Sequence, residues 1–253
     1  MTDQELLDLN KEGLIPGPGE DEKNFIERVD FTKKRFTEGS WIPDAHWDWV
    51  RLFLDDVFDV KPLYICAFYS NKGLTPWQGA ASWIEGRRLN SVQLRVRLKR
   101  GSYLRMYRRE EILAHEAVHG VRCGFNEDRY EEFFAYMVSD KKWRRVLGPI
   151  LQRPWEAWPF LLCSLGGMFW PICYTGAALW AGLGFCRLIK GHLKLRKASN
   201  KVFTLLGCAH KSRAVLFRLT DEEIERFSKG EDVKEYAKMQ NELRWRLIRL
   251  AYF

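Results

Sequence analysis

Several familiar functional motifs are missing from this sequence. It has no Gly-rich phosphate loop, no nucleophile elbow and no dinucleotide fingerprint, and it shows no internal repeat or low-complexity tract. These absences argue against the common nucleotide-dependent and serine-hydrolase chemistries. The acidic first residues are not a basic region leading into an apolar one, so we expect no cleavable signal peptide.

The six cysteines are not arranged in pairs. None forms a CxxC motif, and three of them lie within one apolar stretch. A disulfide framework and a cysteine-based zinc site are therefore not expected, and the pattern is typical of a reducing compartment.

The composition is that of a folded protein with a basic surface. The chain has 253 residues, of which 46% are hydrophobic and 29% charged, which fits one large domain or a medium domain with an accessory segment. Its 41 Lys and Arg exceed its 33 Asp and Glu and give a net charge of +8, which favours an anionic partner such as phospholipid or nucleic acid. Because the basic residues cluster at the ends of the apolar stretch, where a membrane explains them, no nucleic-acid partner is expected.

The first 100 residues carry helical patterns followed by strand patterns. Amphipathic helices are predicted over Asp21–Phe36 and Asp44–Val57, and apolar runs of strand length occupy Leu63–Tyr69 and Ala80–Ile84. Ser91–Lys99 alternates apolar and polar residues without a break. This alternation predicts a strand with one buried face and a charged face suited to a sheet edge.

The period of the pattern becomes helical after this strand. A helix is predicted over Arg108–Cys123, ending at Gly124, and a second from an N-cap at Asn126 to about Leu147.

The C-terminal part is predicted to be mostly helical. Arg213–Leu219 is a candidate strand, Thr220 and Glu223 form a capping box that begins a helix, and Glu231–Leu250 reads as a final helix. These helices are expected to pack on the preceding region.

A long apolar run interrupts the chain. Ala157–Cys186 contains no charged side chain over 30 positions, whereas one helical span of a ~30 Å hydrocarbon core needs about 20 residues. The run is therefore long for one span and short for two. Basic residues flank it on both sides, so a hairpin with both ends in the cytoplasm agrees with the charge rule better than a single span. A buried helical pair in a soluble protein is the alternative.

One motif carries recognisable chemistry. His115–His119 reads His-Glu-Ala-Val-His and matches HExxH, for which this composition predicts roughly 0.01 accidental matches. On a helix, histidines four residues apart share a face and can bind one metal ion. Glu116 lies about 100° around the helix from His115, where it can accept a proton from metal-bound water.

A zinc site with two histidines needs a third protein ligand and an open position for water. If the chain reverses after Gly124, His119 lies roughly 7 Å before the turn and Glu132 roughly 9 Å after it. Glu131, one residue nearer, also fits. Glu127 lies too close to the turn, and the helix dipole explains an acidic residue there.

An HExxH helix followed by a glutamate on the next helix resembles the zincin metallopeptidases, in their gluzincin branch. The order of a sheet before the motif helix is similar, and the resemblance covers roughly residues 60–145. That family often has its third ligand in an ExxA-like context, which Glu132–Ala135 matches. The resemblance therefore implies Glu132 as the ligand and Glu131 as the runner-up, with Tyr136 at a position where the family commonly has Asp or Asn.

The sequence as a whole predicts an α+β fold with a small antiparallel or mixed sheet, an active-site helix, a ligand helix and a helical apolar segment. The predicted parts are an N-terminal helical region over residues 1–59, a zincin-like catalytic core over 60–148, the membrane-associating segment over 149–190 and a C-terminal region over 191–253.

The predicted function is that of a membrane-associated zinc metallopeptidase that hydrolyses peptide bonds with a zinc-activated water. The zinc ligands would be His115, His119 and Glu132, and Glu116 would be the catalytic base. The expected partners are a peptide or protein substrate and membrane lipid, with the catalytic region on the cytoplasmic side. The alternative is an inert membrane-attached protein that binds anionic lipid or a protein partner. Candidates for stabilising the oxyanion, among which the sequence does not choose, are Tyr103, Tyr107, Tyr130, Tyr136, His192 and His210.

Overall fold

The computed structural model describes residues 1–75, 78–104 and 107–253. Within these residues the α-helices are α1 Asp3–Lys11, α2 Glu22–Glu38, α3 Asp48–Phe58, α4 Arg109–Arg122, α5 Glu131–Met137, α6 Lys142–Leu147, α7 Ala157–Gly166, α8 Cys173–Leu206, α9 Ala209–Phe217, α10 Asp221–Ser228, α11 Val233–Met239 and α12 Leu243–Tyr252. The strands are β1 Ala67–Tyr69, β2 Ala80–Glu85, β3 Arg88–Leu94, β4 Ser102–Tyr103 and β5 Tyr107–Arg108. Helices surround two small sheets, and the α+β class is confirmed.

The larger sheet has β3 at its centre. This strand pairs in parallel with β1 and antiparallel with β2, in the order β1-β3-β2, as expected for a small mixed sheet. The edge strand predicted over Ser91–Lys99 is wrong, because the strand ends at Leu94 and Val96–Arg100 forms a 3₁₀ turn. Gln93, a polar position in the alternation, is buried because its amide donates to two backbone carbonyls of the loop after β1.

The helix predicted to follow Asn126 is interrupted. This residue has a φ of 53° and forms the turn after α4, so α5 begins only at Glu131. The chain breaks again between α5 and α6. There the Ser139 hydroxyl donates to the buried carboxylate of Glu111, which also accepts from Arg144 at 2.7 Å. This junction fixes the end of α5 against α4.

The C-terminal region departs from two of its predictions. Arg213–Leu219 is not a strand but the second half of α9 and the turn after it, because the buried end of a helix, here Ala214–Phe217, gives the same apolar run as a strand. The capping box of Thr220 and Glu223 begins α10 as predicted. The final helix predicted over Glu231–Leu250 is divided into α11 and α12 by extended backbone at Gln240.

The apolar run folds as two antiparallel helices. We use "apolar hairpin" for α7, the turn after it and α8 as far as Cys186. Gly176 of α8 faces Cys163 of α7, and near the start of α7 the indole of Trp180 donates to the Glu156 carbonyl at 2.9 Å. No helix in the described part of the chain combines the length and the hydropathy of a membrane span.

One hydrophobic core extends from Leu6 in α1 to Tyr252 in α12. Beside it lies a buried ion pair in which Glu223 accepts from Arg244 at 2.8 Å and from the indole of Trp245 at 2.6 Å. The two charged side chains are 3% and 1% exposed. Glu223 is the buried counter-charge of Arg244, which also pairs with the partly exposed Glu242 at 3.1 Å, and a buried charge is stable only when it is compensated.

Glu223→Ala is expected to lower the free energy of unfolding by about 3–5 kcal/mol, because Arg244 would lose its buried counter-charge and keep only the partly exposed carboxylate of Glu242, at 3.1 Å. Denaturant unfolding followed by tryptophan fluorescence measures the change. Glu222→Ala is the matched control in the same helical turn, since this side chain is 73% exposed, and its effect should stay below about 1 kcal/mol. Equal effects of the two substitutions would contradict the importance of the pair.

Candidate metal centre

Helix α4 presents both histidines of the motif on one face. The side chains of His115 and His119 are 18% and 15% exposed. Apolar side chains on the opposite side of the helix pack into the core, which holds the histidine face in a fixed direction. The buried apolar side chains of α4 are Ile112, Leu113, Ala114, Ala117, Val118 and Val121.

The turn after α4 brings the start of α5 against the histidines. The Nε2 atoms of His115 and His119 lie 3.3 Å apart. Glu132 Oε2 lies 3.7 Å from His115 Nε2, and Glu132 Oε1 lies 3.5 Å from His119 Nε2. One ligand atom from each of these side chains lies within 4.8 Å of the other two. The structure thus brings together the three residues that the sequence named as ligands.

These separations suit a tetrahedral zinc ion. Zinc–ligand bonds of about 2.0–2.1 Å place neighbouring ligand atoms roughly 3.3 Å apart in a tetrahedron. Two imidazole nitrogens and one carboxylate oxygen are also a donor set that zinc uses at catalytic sites, where the fourth position stays open. Small movements of Glu132 would complete the fit.

Glu131, the runner-up for the third ligand, supports a histidine in this structure. Its Oε1 lies 3.2 Å from His119 Nδ1, and its Oε2 accepts from Arg122 Nε at 2.8 Å. A carboxylate on the far ring nitrogen fixes the tautomer that leaves Nε2 free to bind a metal. The adjacent glutamates therefore occupy different positions around the centre.

Arg122 holds Glu131 in place from inside the core. Its guanidinium lies over the rings of Phe125, Phe134 and Phe217 at 4.2, 4.7 and 5.6 Å. It also donates to the backbone carbonyl of Phe217. Aromatic faces attract a desolvated cation, so the arginine is stable at 1% exposure. Sequence reasoning missed this residue, because no local pattern reveals its contact with Phe217, 95 positions downstream.

Glu116 is oriented from the sheet. Its Oε2 accepts a hydrogen bond from the Ser82 hydroxyl of β2 at 2.7 Å, and the residue is 8% exposed. Burial raises the pKa of Glu116, although the charge of His119 and the hydrogen bond from Ser82 oppose the change. A carboxylate with a raised pKa suits general-base chemistry near neutral pH. No sequence pattern pointed to Ser82.

The electrostatics of the centre favour a cation. Burial opposes a charge on His119, but its hydrogen bond to Glu131 and the charges of Glu132, Glu131 and Glu116 raise its pKa to about 9. Burial raises the pKa of Glu132 to about 7. Burial, with a contribution from the charge of His119, lowers the pKa of His115 well below its ordinary value. Three carboxylates thus surround a position where a metal ion would replace a proton.

Among the six candidates for stabilising an oxyanion, Tyr136 lies beside a candidate ligand, with its ring 4.8 Å from that of His115. Burial raises the pKa of Tyr136, so its hydroxyl keeps its proton. Tyr130 instead donates to a carboxylate of α10 at 2.9 Å, and His210 bonds a backbone carbonyl of α3 at 3.0 Å.

Comparison of the chain with protein-family models, with curated proteins and with solved structures gives no match. The donor atoms and their geometry are therefore what indicates the chemistry of this centre.

We expect the purified protein to contain about one zinc per chain, because two imidazoles and one carboxylate match the donor set of catalytic zinc sites. His119→Ala should lose the metal, since it removes one of three ligands. His210→Ala is the matched control, because this histidine bonds α3 and not the centre, and it should retain zinc. Elemental analysis measures all three proteins, and metal-free wild type would contradict the prediction.

Glu132→Ala is expected to weaken zinc binding more than Glu131→Ala. The first substitution removes a ligand, whereas the second removes the support of His119, a kind of loss that commonly costs 10–100-fold in metal affinity. Competition with a chromophoric chelator measures both affinities. The reverse order would show that Glu131 is the ligand.

Proposed function

We propose that this chain is a membrane-associated, zinc-dependent metallopeptidase. The observation that carries the proposal is the convergence of His115, His119 and Glu132, whose ligand atoms lie within 4.8 Å of one another. The HExxH spacing places Glu116 on the same helix, beside this donor set. The resemblance to the zincin metallopeptidases is consistent with these roles.

The residues around the donor set have complementary roles in peptide hydrolysis. A zinc ion bound there would supply a Lewis acid that activates water and polarises the scissile carbonyl. Glu116 accepts the proton that the attacking water loses, and Ser82 directs the carboxylate toward that task. Glu131 keeps His119 in the tautomer that can bind zinc. The substrate would be a peptide or protein.

Membrane attachment through the apolar hairpin belongs to the same proposal. Helix α7 contains no buried residue within its described positions, although it is strongly apolar. Basic residues flank the hairpin on both sides, which supports a cytoplasmic position for the rest of the chain.

A second function is favoured by the exposure of the hairpin itself. Lipid binding through this surface needs no metal, so an inert membrane protein would have the same hairpin. Zinc content and hydrolytic activity separate the two functions, because the inert protein would have neither.

Glu116→Gln is expected to retain zinc but to lower the rate of peptide hydrolysis by about 10²–10⁴-fold, because an amide cannot accept the proton. Cleavage of an unbiased peptide library, read by mass spectrometry, measures the rate. Glu110→Gln, in the first turn of the same helix and paired with Arg109 at 2.7 Å, is the matched control and should cleave at the wild-type rate. Unimpaired cleavage by Glu116→Gln would exclude this carboxylate as the base.

A further inference from the structure

The apolar hairpin exposes large side chains that a folded protein normally covers. Six of them around its tip are between 60% and 78% exposed. Among the described residues of α8 between Cys173 and Cys186, Ala177 is the one that is buried. Monomeric soluble proteins rarely expose a contiguous apolar patch of more than a few hundred Å², so this surface indicates a docking site. The six side chains are Leu165, Met168, Phe169, Trp170, Ile172 and Leu179.

The charge around the hairpin identifies the partner as an anionic surface. Between Asp140 and Asp221 the sequence has 14 Lys and Arg but one acid, Glu156. That acid is neutralised at the base of the hairpin, where Arg187 pairs with it at 2.6 Å. Carboxylates from outside this range pair with some of these cations, as Asp128 does with Arg153 and Glu225 with Lys194. Lys190, which is exposed, is among the cationic side chains that follow the apolar hairpin and border its surface. Phospholipid with anionic headgroups has the complementary arrangement.

The length of the hairpin matches one leaflet. From Cys173 at the tip to Arg187 at the base, α8 rises about 21 Å. The hydrocarbon of one leaflet is about 15 Å thick, and its headgroup region adds roughly 6 Å. Both ends of the hairpin lie at its base, on the side of the core. A tip buried in hydrocarbon would therefore place Arg187 among the headgroups.

The base of the hairpin is packed against the helix that carries Glu132. The ring of Phe133 lies so close to Gly191 of α8 that a Cβ there would meet it at 2.3 Å, and it contacts His192 with ring centroids 4.9 Å apart. Gly191 lies four residues beyond Arg187, a rise of about 6 Å. With side-chain lengths included, the metal centre lies within about 15 Å of the level of Arg187.

We propose that the apolar hairpin inserts into one leaflet of an anionic phospholipid bilayer and holds the metal centre at the headgroup surface. Its substrates would then be peptide segments that adjoin the membrane. The substrate class rests on the proposed peptidase activity, whereas the insertion rests only on the membrane attachment in that proposal and needs no metal.

Vesicle flotation tests the insertion. The double variant Met168→Asp/Leu183→Asp should partition roughly 10- to 100-fold less onto vesicles of phosphatidylcholine with phosphatidylserine, because it removes two apolar side chains from the buried surface. Met239→Asp/Leu52→Asp is the matched control, since its Met and Leu are 68% and 67% exposed but lie far from the hairpin in sequence, and it should bind as wild type does. Equal binding by the two variants would overturn the proposal, as would wild type that does not float.

A spin label at Met168→Cys tests the depth. Cys163, Cys173, Cys186 and Cys208 are replaced by Ala so that labelling is specific. Power saturation with oxygen and with a nickel chelate should place the label in the hydrocarbon, about 15 Å below the phosphates. A label that stays in water would overturn insertion, and a label exposed on the opposite side would overturn the one-leaflet geometry. Dimers that form through the hairpin without vesicles, seen by light scattering, would identify a second copy as the partner instead.

A series of lipid-anchored peptides tests the substrate class. Wild type should cleave a site joined directly to its anchor faster than the same site on a long flexible linker, and Met168→Asp/Leu183→Asp should lose this preference while it retains zinc. Equal rates on both peptides would overturn the substrate class. If no peptide is cleaved, the proposed function fails together with the substrate class, while flotation and the depth measurement still decide the insertion.

Discussion

The buried ion pair between Arg122 and Glu131 is the interaction on which the arrangement of the metal centre depends. Arg122 is the last residue of α4, and Glu131 is the first of α5. Their 2.8 Å contact fixes how the two helices meet after the turn. Because the arginine is fully buried among aromatic rings, neither charge can move into water without leaving the other uncompensated. The position of His119 and the approach of Glu132 both follow from this constraint.

The donor set was predictable from the sequence because its spacing is a property of a single helix and one turn. Histidines four residues apart share a face in any α-helix, and the heights of Glu131 and Glu132 follow from the helical rise. Whether Glu131 or Glu132 points toward the histidines depends on how α5 is rotated against the core. That rotation is set by Arg122 and the Phe rings, which no local pattern describes.

The errors in the predicted fold have a common physical origin. Ser91–Lys99 alternates as an edge strand does, but the loop after β1 satisfies the amide of Gln93 and permits a central strand. The last four residues of α9 are apolar in succession because that end of the helix is buried. Ser82 reaches Glu116 across 34 positions of the chain. In each case the structure depends on contacts between residues that are far apart in the sequence, and a local sequence pattern does not reveal such contacts.

The distance in sequence between Arg122 and its carbonyl partner also determines the order in which the centre can be built during synthesis. His115 and Glu132 are 17 positions apart, so the donor atoms can meet as soon as α5 has emerged, at the small entropic cost of a short loop. Arg122 donates a hydrogen bond to the carbonyl of Phe217, which lies 95 positions downstream. Until that residue is synthesised, the guanidinium lacks one of its three aromatic partners and remains open to water. In a nascent chain the donor residues are therefore available early, whereas the carbonyl that accepts from Arg122 is synthesised only after the residues of the apolar hairpin.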